Sequence, residues 1–465
     1  MTLDEYLLSI KGKRVCVIGA GISNRPLISL LRIYNIDVTV CDARSFTKMG
    51  AETFELINCG CTLRLGEDYL DDLNYDIIFR TPGLMPTNEK LQAAVKAGAV
   101  LTSEMELFLS LCPCKVVAIT GSDGKTTTST VIAELLRREG YNVHLGGNIG
   151  RPLLCEVPMM KKEDICVVEL SSFQLHSMMC SPDVAVITNV TPNHLDKHGT
   201  LEDYIEAKTS IFRNQKENAV LVLNAEDSLT PSFSAEAKGE VRTFSSQAEP
   251  ENGVFLKGGV IYSAVPGTQP KAVLDSSEIL VPGFHNVLNF MTAYCAVRDL
   301  VSAETFKNTA REFKGVEHRL ELVCERKGVR FINDSIGSSP TRTIAGLRSF
   351  DRPLVVIAGG YDKHLDYSIL GDELCLRAKK LFVTGDTAGK IIDAVRGSKY
   401  YSGCTLEPVY YEDFEENVKA AASAAESGDV VLFSPASASF DRFKNFEERG
   451  RFFKSIVMEL CKDER

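Results

Sequence analysis

Short apolar runs alternate with helical periods from one end of this chain to the other, and that alternation restricts it to parallel α/β sheets. KRVCVIGA, IDVTVCD and YDIIFRTPG begin a first block that closes near AGAVLTSEMELFLS. A second block opens at CKVVAIT, after a CPC break, and continues through YNVHLGG, DICVVEL, DVAVITNV and NAVLVLN. From Val241 to Leu280 the runs shorten between Gly and Ser, predicting hairpins before a helix at FHNVLNFMTAYCAV. After FKGVEHRLE a third block has strands at VRFIND, LVVIAGG, KLFVTG and DVVLFSP. At 465 residues the chain exceeds one ordinary core. The reading is three α/β domains: a Rossmann-like domain over 1–111, a P-loop ATPase-type domain over 112–314 and a second Rossmann-like domain over 315–465.

The formal net charge of -10 argues against nucleic acid as a partner over the whole surface, while leaving room for a locally basic cleft. No run is long enough to span a bilayer, and MTLDEYLLSIKGKRV is too polar for a signal peptide. The fourteen Cys are scattered through apolar runs. CGC at Cys59–Cys61 and CPC at Cys112–Cys114 lack partners at metal-site spacing, so buried reduced thiols are expected. A cytoplasmic protein without membrane insertion follows.

Two glycine turns compete for a nucleotide. VIGAGISN sets Gly19 and Gly21 just after a strand, but the third glycine position of a dinucleotide turn holds Asn24. Asp42 ends the next strand, where a carboxylate can meet a ribose hydroxyl, and Arg44 can face phosphate. A plain structural turn, a nucleotide-type ligand and a hydride-transfer cofactor all fit this stretch. TGSDGKTTTS is stronger evidence. Backbone N–H groups from Gly121 through Ser122, Asp123 and Gly124 to Lys125 can converge on phosphate oxygens, beside the positive end of the following helix. Lys125 suits the terminal phosphates, and the Thr126 hydroxyl suits Mg2+. Ile119 replaces the first consensus Gly, so a shortened loop is expected. Glu169, ending DICVVEL, is the candidate acidic partner for the metal; a surface strand-end Glu is the alternative. TPNHLDKHG brings His194, Asp196 and His198 to the same sheet edge. Lys208, taken alone, reads as a solvent lysine on the helical stretch LEDYIEAKTSIF.

TGSDGKTT, GGNIG, VELSSFQL, NVTPNHLDKH, FHNVLN, EHRLE, NDS and SPASASFDRFKNFEERG occur here in one order, and this ordered set resembles the Mur ligase family. The resemblance spans essentially the whole chain and includes the loop without its first Gly. It implies an ATP-dependent amide ligase of cytoplasmic peptidoglycan precursor synthesis working through an acyl phosphate. ELSSFQL and GGYDK point to the branch that adds D-glutamate to UDP-N-acetylmuramoyl-L-alanine, with the chain acting as a monomer.

The same resemblance implies the following roles. Lys125 acts on the transferring phosphoryl group, Thr127 joins the ATP loop, and Thr126 and Glu169 hold one Mg2+. His194 holds a second Mg2+ together with Lys208, the family's carbamylated lysine. Asn148, Asn286, Asn289, Arg319 and Asp334 surround ATP. Ser23, Asn24, Asp42, Arg44, Gly83 and Ser171 take the UDP-sugar. Lys363 and Ser338 take the side-chain carboxylate of D-glutamate, and backbone near Ser439 and Phe446 takes its α-carboxylate. Many D-glutamate ligases follow NDS with Lys, whereas this chain has Ile336, so a cation of that loop is missing or comes from elsewhere. A sister ligase using another amino acid, a folylpolyglutamate synthase and a P-loop regulatory ATPase that forms no bond are the competing readings.

Overall fold

The computed structural model describes residues 1–191 and 195–462. Its described residues build three separate sheets. The first holds β1 (Val15–Ile18), β2 (Val38–Asp42), β3 (Thr62–Leu65), β4 (Ile77–Phe79) and β5 (Val100–Thr102), in the order β3-β2-β1-β4-β5. All its pairings are parallel, as crossover helices between strands require.

The second sheet has nine strands: β6 (Lys115–Thr120), β7 (Val143–Gly147), β8 (Ile165–Glu169), β9 (Val184–Ile187), β10 (Val220–Asn224), β11 (Glu240–Ser245), β12 (Gly253–Lys257), β13 (Val260–Ala264) and β14 (Lys271–Asp275). The order is β14-β13-β12-β11-β10-β9-β6-β8-β7. Strand β6 lies between β8 and β9, both parallel to it, so all three deliver their C-terminal ends to one edge. Every residue of β8 and β9 is buried, which is why these strands read as unbroken apolar runs rather than alternating ones. The predicted hairpins appear as the antiparallel set β12-β13-β14, whereas β11 joins β10 in parallel.

The third sheet contains β15 (Glu321–Arg326), β16 (Val329–Asn333), β17 (Leu354–Gly359), β18 (Ala378–Thr384), β19 (Pro408–Tyr410) and β20 (Val430–Phe433), ordered β15-β16-β20-β17-β18-β19. Strand β15 pairs antiparallel to β16, and the remaining pairings are parallel. Strands β3, β15 and β19 were not expected. Each is an edge strand with exposed or half-buried residues, so its hydrophobic signal is weak.

Tertiary contacts divide the chain into two compact units, residues 1–276 with 288–309 and residues 277–287 with 310–465. The first two sheets thus share one unit. One apolar core joins the two, from Val15, Val17 and Phe79 of the first sheet to Ala118, Val168 and Ile187 of the second, and a further cluster around Cys16, Ile18 and Ile78 lies within the first sheet's layer. Among the described residues, no helix is long and apolar enough to cross a membrane.

Between these sheets runs the helix Glu104–Leu111, capped by Ser103, whose hydroxyl accepts from the Glu106 N–H. Glu104 is 5% exposed and accepts from the Leu154 N–H at 3.1 Å. Burial pushes its carboxyl up to about 7, against the opposing effect of that hydrogen bond. A carboxyl raised above its unfolded value stabilises the fold below that unfolded value and loses the contribution as pH rises through the folded one. Stability is therefore expected to fall by on the order of 2–3 kcal/mol between pH 4.5 and about 7 through this group. Relative to wild type, Glu104→Gln should be more stable at pH 8 than at pH 5 by that order. Equal differences between the two proteins' denaturant midpoints at both pH values would show that this carboxyl is not desolvated.

Candidate functional site

The turn after β6 is built tightly. Gly124 caps the helix Lys125–Arg138 with φ +80°, a left-handed conformation that favours glycine. A Cβ at Gly121 (φ +148°) would collide with the Thr188 hydroxyl, so the turn packs directly on the end of β9. Thr188 donates to the Asp123 carbonyl at 2.6 Å, and the Asp123 N–H donates to the Asn189 side-chain oxygen at 2.9 Å. The Ser122 N–H donates to the Asn189 carbonyl, and the Ser122 hydroxyl donates to the Thr191 carbonyl, each at 2.9 Å. Loop shape is thus set by the strand beside it, and Ile119 is a fully buried core residue of β6.

Glu169 is 1% exposed, and its carboxylate accepts from the Thr126 hydroxyl at 2.8 Å and from the Asn148 amide at 2.9 Å. The Asn148 N–H also donates to the Glu169 carbonyl at 2.8 Å. Thr126, Glu169 and Asn148 therefore form one oxygen-rich cluster at the end of β8. Hydroxyl and carboxylate oxygens are the donors a hard cation such as Mg2+ takes, so this set fits that ion.

Lys125 donates to the Gly121 and Ser122 carbonyls, both at 2.9 Å. Lys208 donates to the same Gly121 carbonyl at 2.8 Å. Lys208 lies on the helix Leu201–Arg213 and is 1% exposed, with its ammonium 4.5 Å from the Tyr204 ring centroid. The solvent lysine that its sequence suggested in isolation is in fact enclosed. Burial first, and then the charge of Lys125, hold its amine well below the usual lysine range. Tyr204, one helical turn earlier, also meets the Ser122 hydroxyl at 2.9 Å. Tyr204 was missed, although the i,i+4 spacing with Lys208 signals a shared face.

Asn289 contributes from the helix Phe284–Val297, where the Thr128 hydroxyl donates to its oxygen at 3.4 Å. A Cβ on Gly124 would press on that same Asn289 oxygen, so Asn289 reaches the loop itself. Thr127 is buried in the first turn of the Lys125 helix. Ser171 caps the helix Ser172–Leu175 through a reciprocal box with Gln174, two residues beyond Glu169. His198 meets the Ser172 hydroxyl and an Asp203 carboxylate oxygen, each at 2.9 Å. His194 lies outside the described residues.

In the first sheet a cavity of about 430 Å³ opens at the C-terminal end of β1 and is lined by Gly19, Gly21, Arg25, Asp42, Arg44 and Tyr69. Asp42 accepts from the Ala20 N–H at 2.9 Å and pairs with Arg44 at 2.9 Å. Burial opposes its ionisation, but Arg44 and backbone N–H groups hold its carboxyl below the usual carboxylate range. Arg44 also pairs with Glu52 at 3.0 Å, and Arg25 pairs with that same Glu52. Asn24 is turned into the fold, donating to the Ile18 and Gly19 carbonyls at 3.0 and 2.9 Å. Ser23 precedes that helix without a side-chain cap bond, and Gly83 is exposed after β4.

The second unit gathers residues 334–338, 360–363 and 434–439 at the C-terminal ends of β16, β17 and β20. Asp334 is 4% exposed and accepts from the Ser434 hydroxyl at 2.7 Å. Burial pushes its carboxyl up to about 7, partly offset by that hydrogen bond. Arg319 is half-buried and lowers the Asp334 carboxyl, as does Arg342. Arg342 donates to the Ile336 carbonyl at 3.3 Å, so a cation does stand beside the loop whose sequence lacks one. Ser338 is half-buried, while Lys363 is exposed with its ammonium 5.5 Å from the Phe440 ring centroid. Ser439 is buried, and Phe446 accepts at its carbonyl from the Ser335 hydroxyl at 2.8 Å.

Sequence reasoning missed Arg449, which is 2% exposed. It donates to the Ala438 carbonyl at 2.7 Å and the Ser335 carbonyl at 2.9 Å, tying the two loops together. Its only signal was its place inside NFEERG. Asn286, in this unit, donates to the Pro282 carbonyl at 2.6 Å.

Residues 119–297 match the Mur ligase middle domain, and residues 318–437 match the Mur ligase glutamate ligase domain. The chain is 46% identical to the UDP-N-acetylmuramoylalanine–D-glutamate ligase of Clostridium botulinum (strain Okra), covering 97% of this chain and 98% of that protein. It is 47% identical to the enzyme of the same name from Acetivibrio thermocellus, covering 98% of each. Among solved structures, the MurF ligase of Thermotoga maritima in complex with ADP shares its fold, with a TM-score of 0.54 at 20% identity over 98% of this chain and 97% of that one.

Proposed function

Because the chain belongs to the Mur ligase family, we propose that it is the ATP-dependent ligase that joins D-glutamate to UDP-N-acetylmuramoyl-L-alanine in peptidoglycan precursor synthesis. The observation that carries this reading is the near-complete alignment to D-glutamate ligases, together with Lys125, Thr126 and Glu169 gathered on one sheet edge.

The substrate's alanyl carboxylate attacks the γ-phosphorus of ATP, giving an acyl phosphate and ADP. The amine of D-glutamate then adds to the acyl carbon. The tetrahedral intermediate expels phosphate and leaves an amide, the amine having lost its proton. Positioning and charge neutralisation dominate such a reaction. Loop N–H groups and Lys125 hold the phosphates, while Asn148, Asn289, Asn286, Arg319 and Asp334 contact the nucleotide. Thr126 and Glu169 would hold one Mg2+, and His194 with a carbamylated Lys208 a second, and these ions would supply positive charge against the phosphates. Lys208 suits carbamylation because burial holds its amine well below the usual lysine range, and the unprotonated amine can add to CO2, releasing a proton.

The uridine nucleotide occupies the cavity at the end of β1, where Asp42 and Arg44 offer ribose and phosphate contacts and Tyr69 an aromatic face. Ser23, Asn24, Gly83 and Ser171 shape or extend that region. In the second unit, Lys363 and Ser338 take the side-chain carboxylate of D-glutamate, and backbone near Ser439 and Phe446 takes its α-carboxylate. Two carboxylates set against fixed donors separate glutamate from neutral amino acids. We place the reaction in the cytoplasm, where ATP is supplied and thiols stay reduced, and assign it to the single chain.

The test is phosphate release by the purified protein with UDP-N-acetylmuramoyl-L-alanine, Mg2+ and ATP. Release is expected only when D-glutamate is added, and not with L-glutamate, D-aspartate or meso-diaminopimelate. Release without any amino acid would instead identify a regulatory ATPase, and preference for another amino acid would identify a sister ligase.

A further inference from the structure

At the opposite end of β6 and β8 from the nucleotide loop, three thiols meet. The Cys112 and Cys114 sulfurs are 3.5 Å apart, Cys112 and Cys166 are 3.6 Å apart, and Cys114 and Cys166 are 3.3 Å apart. The Met160 thioether lies 3.7 Å from the Cys166 sulfur. Cys114 and Cys166 are buried, and Cys112 is half-buried, which leaves the group a side open to solvent. The spacing of the CPC segment pointed away from a metal because its third member lies 52 and 54 residues further along the chain. Only the parallel pairing of β6 with β8, with Val116 beside Cys166, brings them together.

We propose that Cys112, Cys114 and Cys166 form a binding site for one thiophilic d10 cation, Zn2+ or Cu+. Their near-equilateral triangle, with edges of 3.3–3.6 Å, has its centre about 2.0 Å from each sulfur. A cation with bonds of about 2.3 Å then stands about 1.1 Å above the sulfur plane, close to three corners of a tetrahedron. A disulfide would use two of these sulfurs and strand the third; a cation uses all three equally. Thiolate and thioether donors select soft ions over Mg2+, so the site and the nucleotide edge do not compete for one metal. The adjacent imidazole of His144 is held by the Asp164 and Glu156 carboxylates at 3.0 and 3.4 Å, so the sulfur set stands as the ligand group. Bound there, the ion ties the Cys-Pro-Cys connection between the first two sheets to the start of β8.

The experiment is titration of the full-length, reduced and chelator-treated protein with Zn2+ against a chromophoric competitor, with Cu+ added anaerobically in a parallel arm. One equivalent of either ion should bind, shield three thiols from alkylation and raise the melting temperature with free-ion concentration. Cys112→Ser, at the half-buried position, should weaken binding by about 100-fold or more. Cys166→Ala supplies a second variant should the first fail to fold, and Cys59→Ser, at an exposed cysteine, should bind as wild type does. Absence of binding of both ions, unchanged binding in Cys112→Ser and Cys166→Ala, or formation of a disulfide as the sole chemistry of the cluster would overturn the assignment.

Discussion

Lys125→Ala is expected to lower kcat/KM for ligation by about 10³-fold while leaving a folded protein. In the structure its ammonium rests on the Gly121 and Ser122 carbonyls at 2.9 Å each, at the first residue of the helix that follows the loop. An anionic phosphate oxygen is a stronger acceptor than either carbonyl, because both partners of that hydrogen bond are charged. The ammonium therefore gains most when charge builds on the transferring phosphoryl group, and its loss falls on kcat rather than on ATP affinity alone. Steady-state phosphate release combined with calorimetric ATP binding separates the two. Activity within tenfold of wild type would remove Lys125 from the chemistry.

Lys208→Ala should abolish ligation to a similar degree, and added formate or acetate should restore part of it. The reasoning begins with burial. A lysine 1% exposed, with a second ammonium on the same carbonyl oxygen, is poorly placed to remain a cation. Its depressed amine is available to CO2, and the resulting carbamate turns the side chain into an oxygen ligand. A small carboxylate diffusing into the space left by alanine can replace that ligand, but cannot repair a general packing defect beside Tyr204. Full activity in the variant would dismiss the role. Lost activity without rescue, in a protein melting at the wild-type temperature, would assign Lys208 a cationic role instead.

Much of this was legible in the residues. The apolar runs located the buried central strands because strands enclosed on both faces need no polar alternation. Edge strands such as Pro408–Tyr410 carry little apolar signal and escaped notice. The nucleotide loop was legible because strand, glycine turn, Lys and Thr are adjacent in sequence. Its supports were not: Thr188, Asn189 and Tyr204 reach it from β9 and the helix Leu201–Arg213, and only sheet order reveals that. Arg44 was expected to be able to face phosphate, yet it is already paired with Asp42 and Glu52, so phosphate must share or displace those partners. Charge compensation of this kind depends on which acid folds nearby. The same limit applied to Ile336, beside which Arg342 sits through the turn of the helix Pro340–Leu347.

Arg80 has a consequence for how the chain folds. It follows β4 in the first sheet, is 1% exposed, and donates to the Phe173 carbonyl and the Ser177 hydroxyl, each at 2.9 Å, on the segment after β8. Burial lowers its guanidinium to about 10, and the Phe173 and Ser177 acceptors, with the Leu84 carbonyl at 3.3 Å, offset that cost. Its apolar core is shared with the second sheet, so the first sheet is not an autonomous folding piece, even though its strand order is complete by residue 102. Emerging first during synthesis, it waits with the apolar face of Leu107 and Phe108 uncovered, and Arg80 hydrated, until the residues through Ser177 arrive. Three sheets thus amount to two compact units, and the first sheet, made before the segment that covers it, holds its apolar face open for longest, the kind of surface on which misfolding and chaperone capture act.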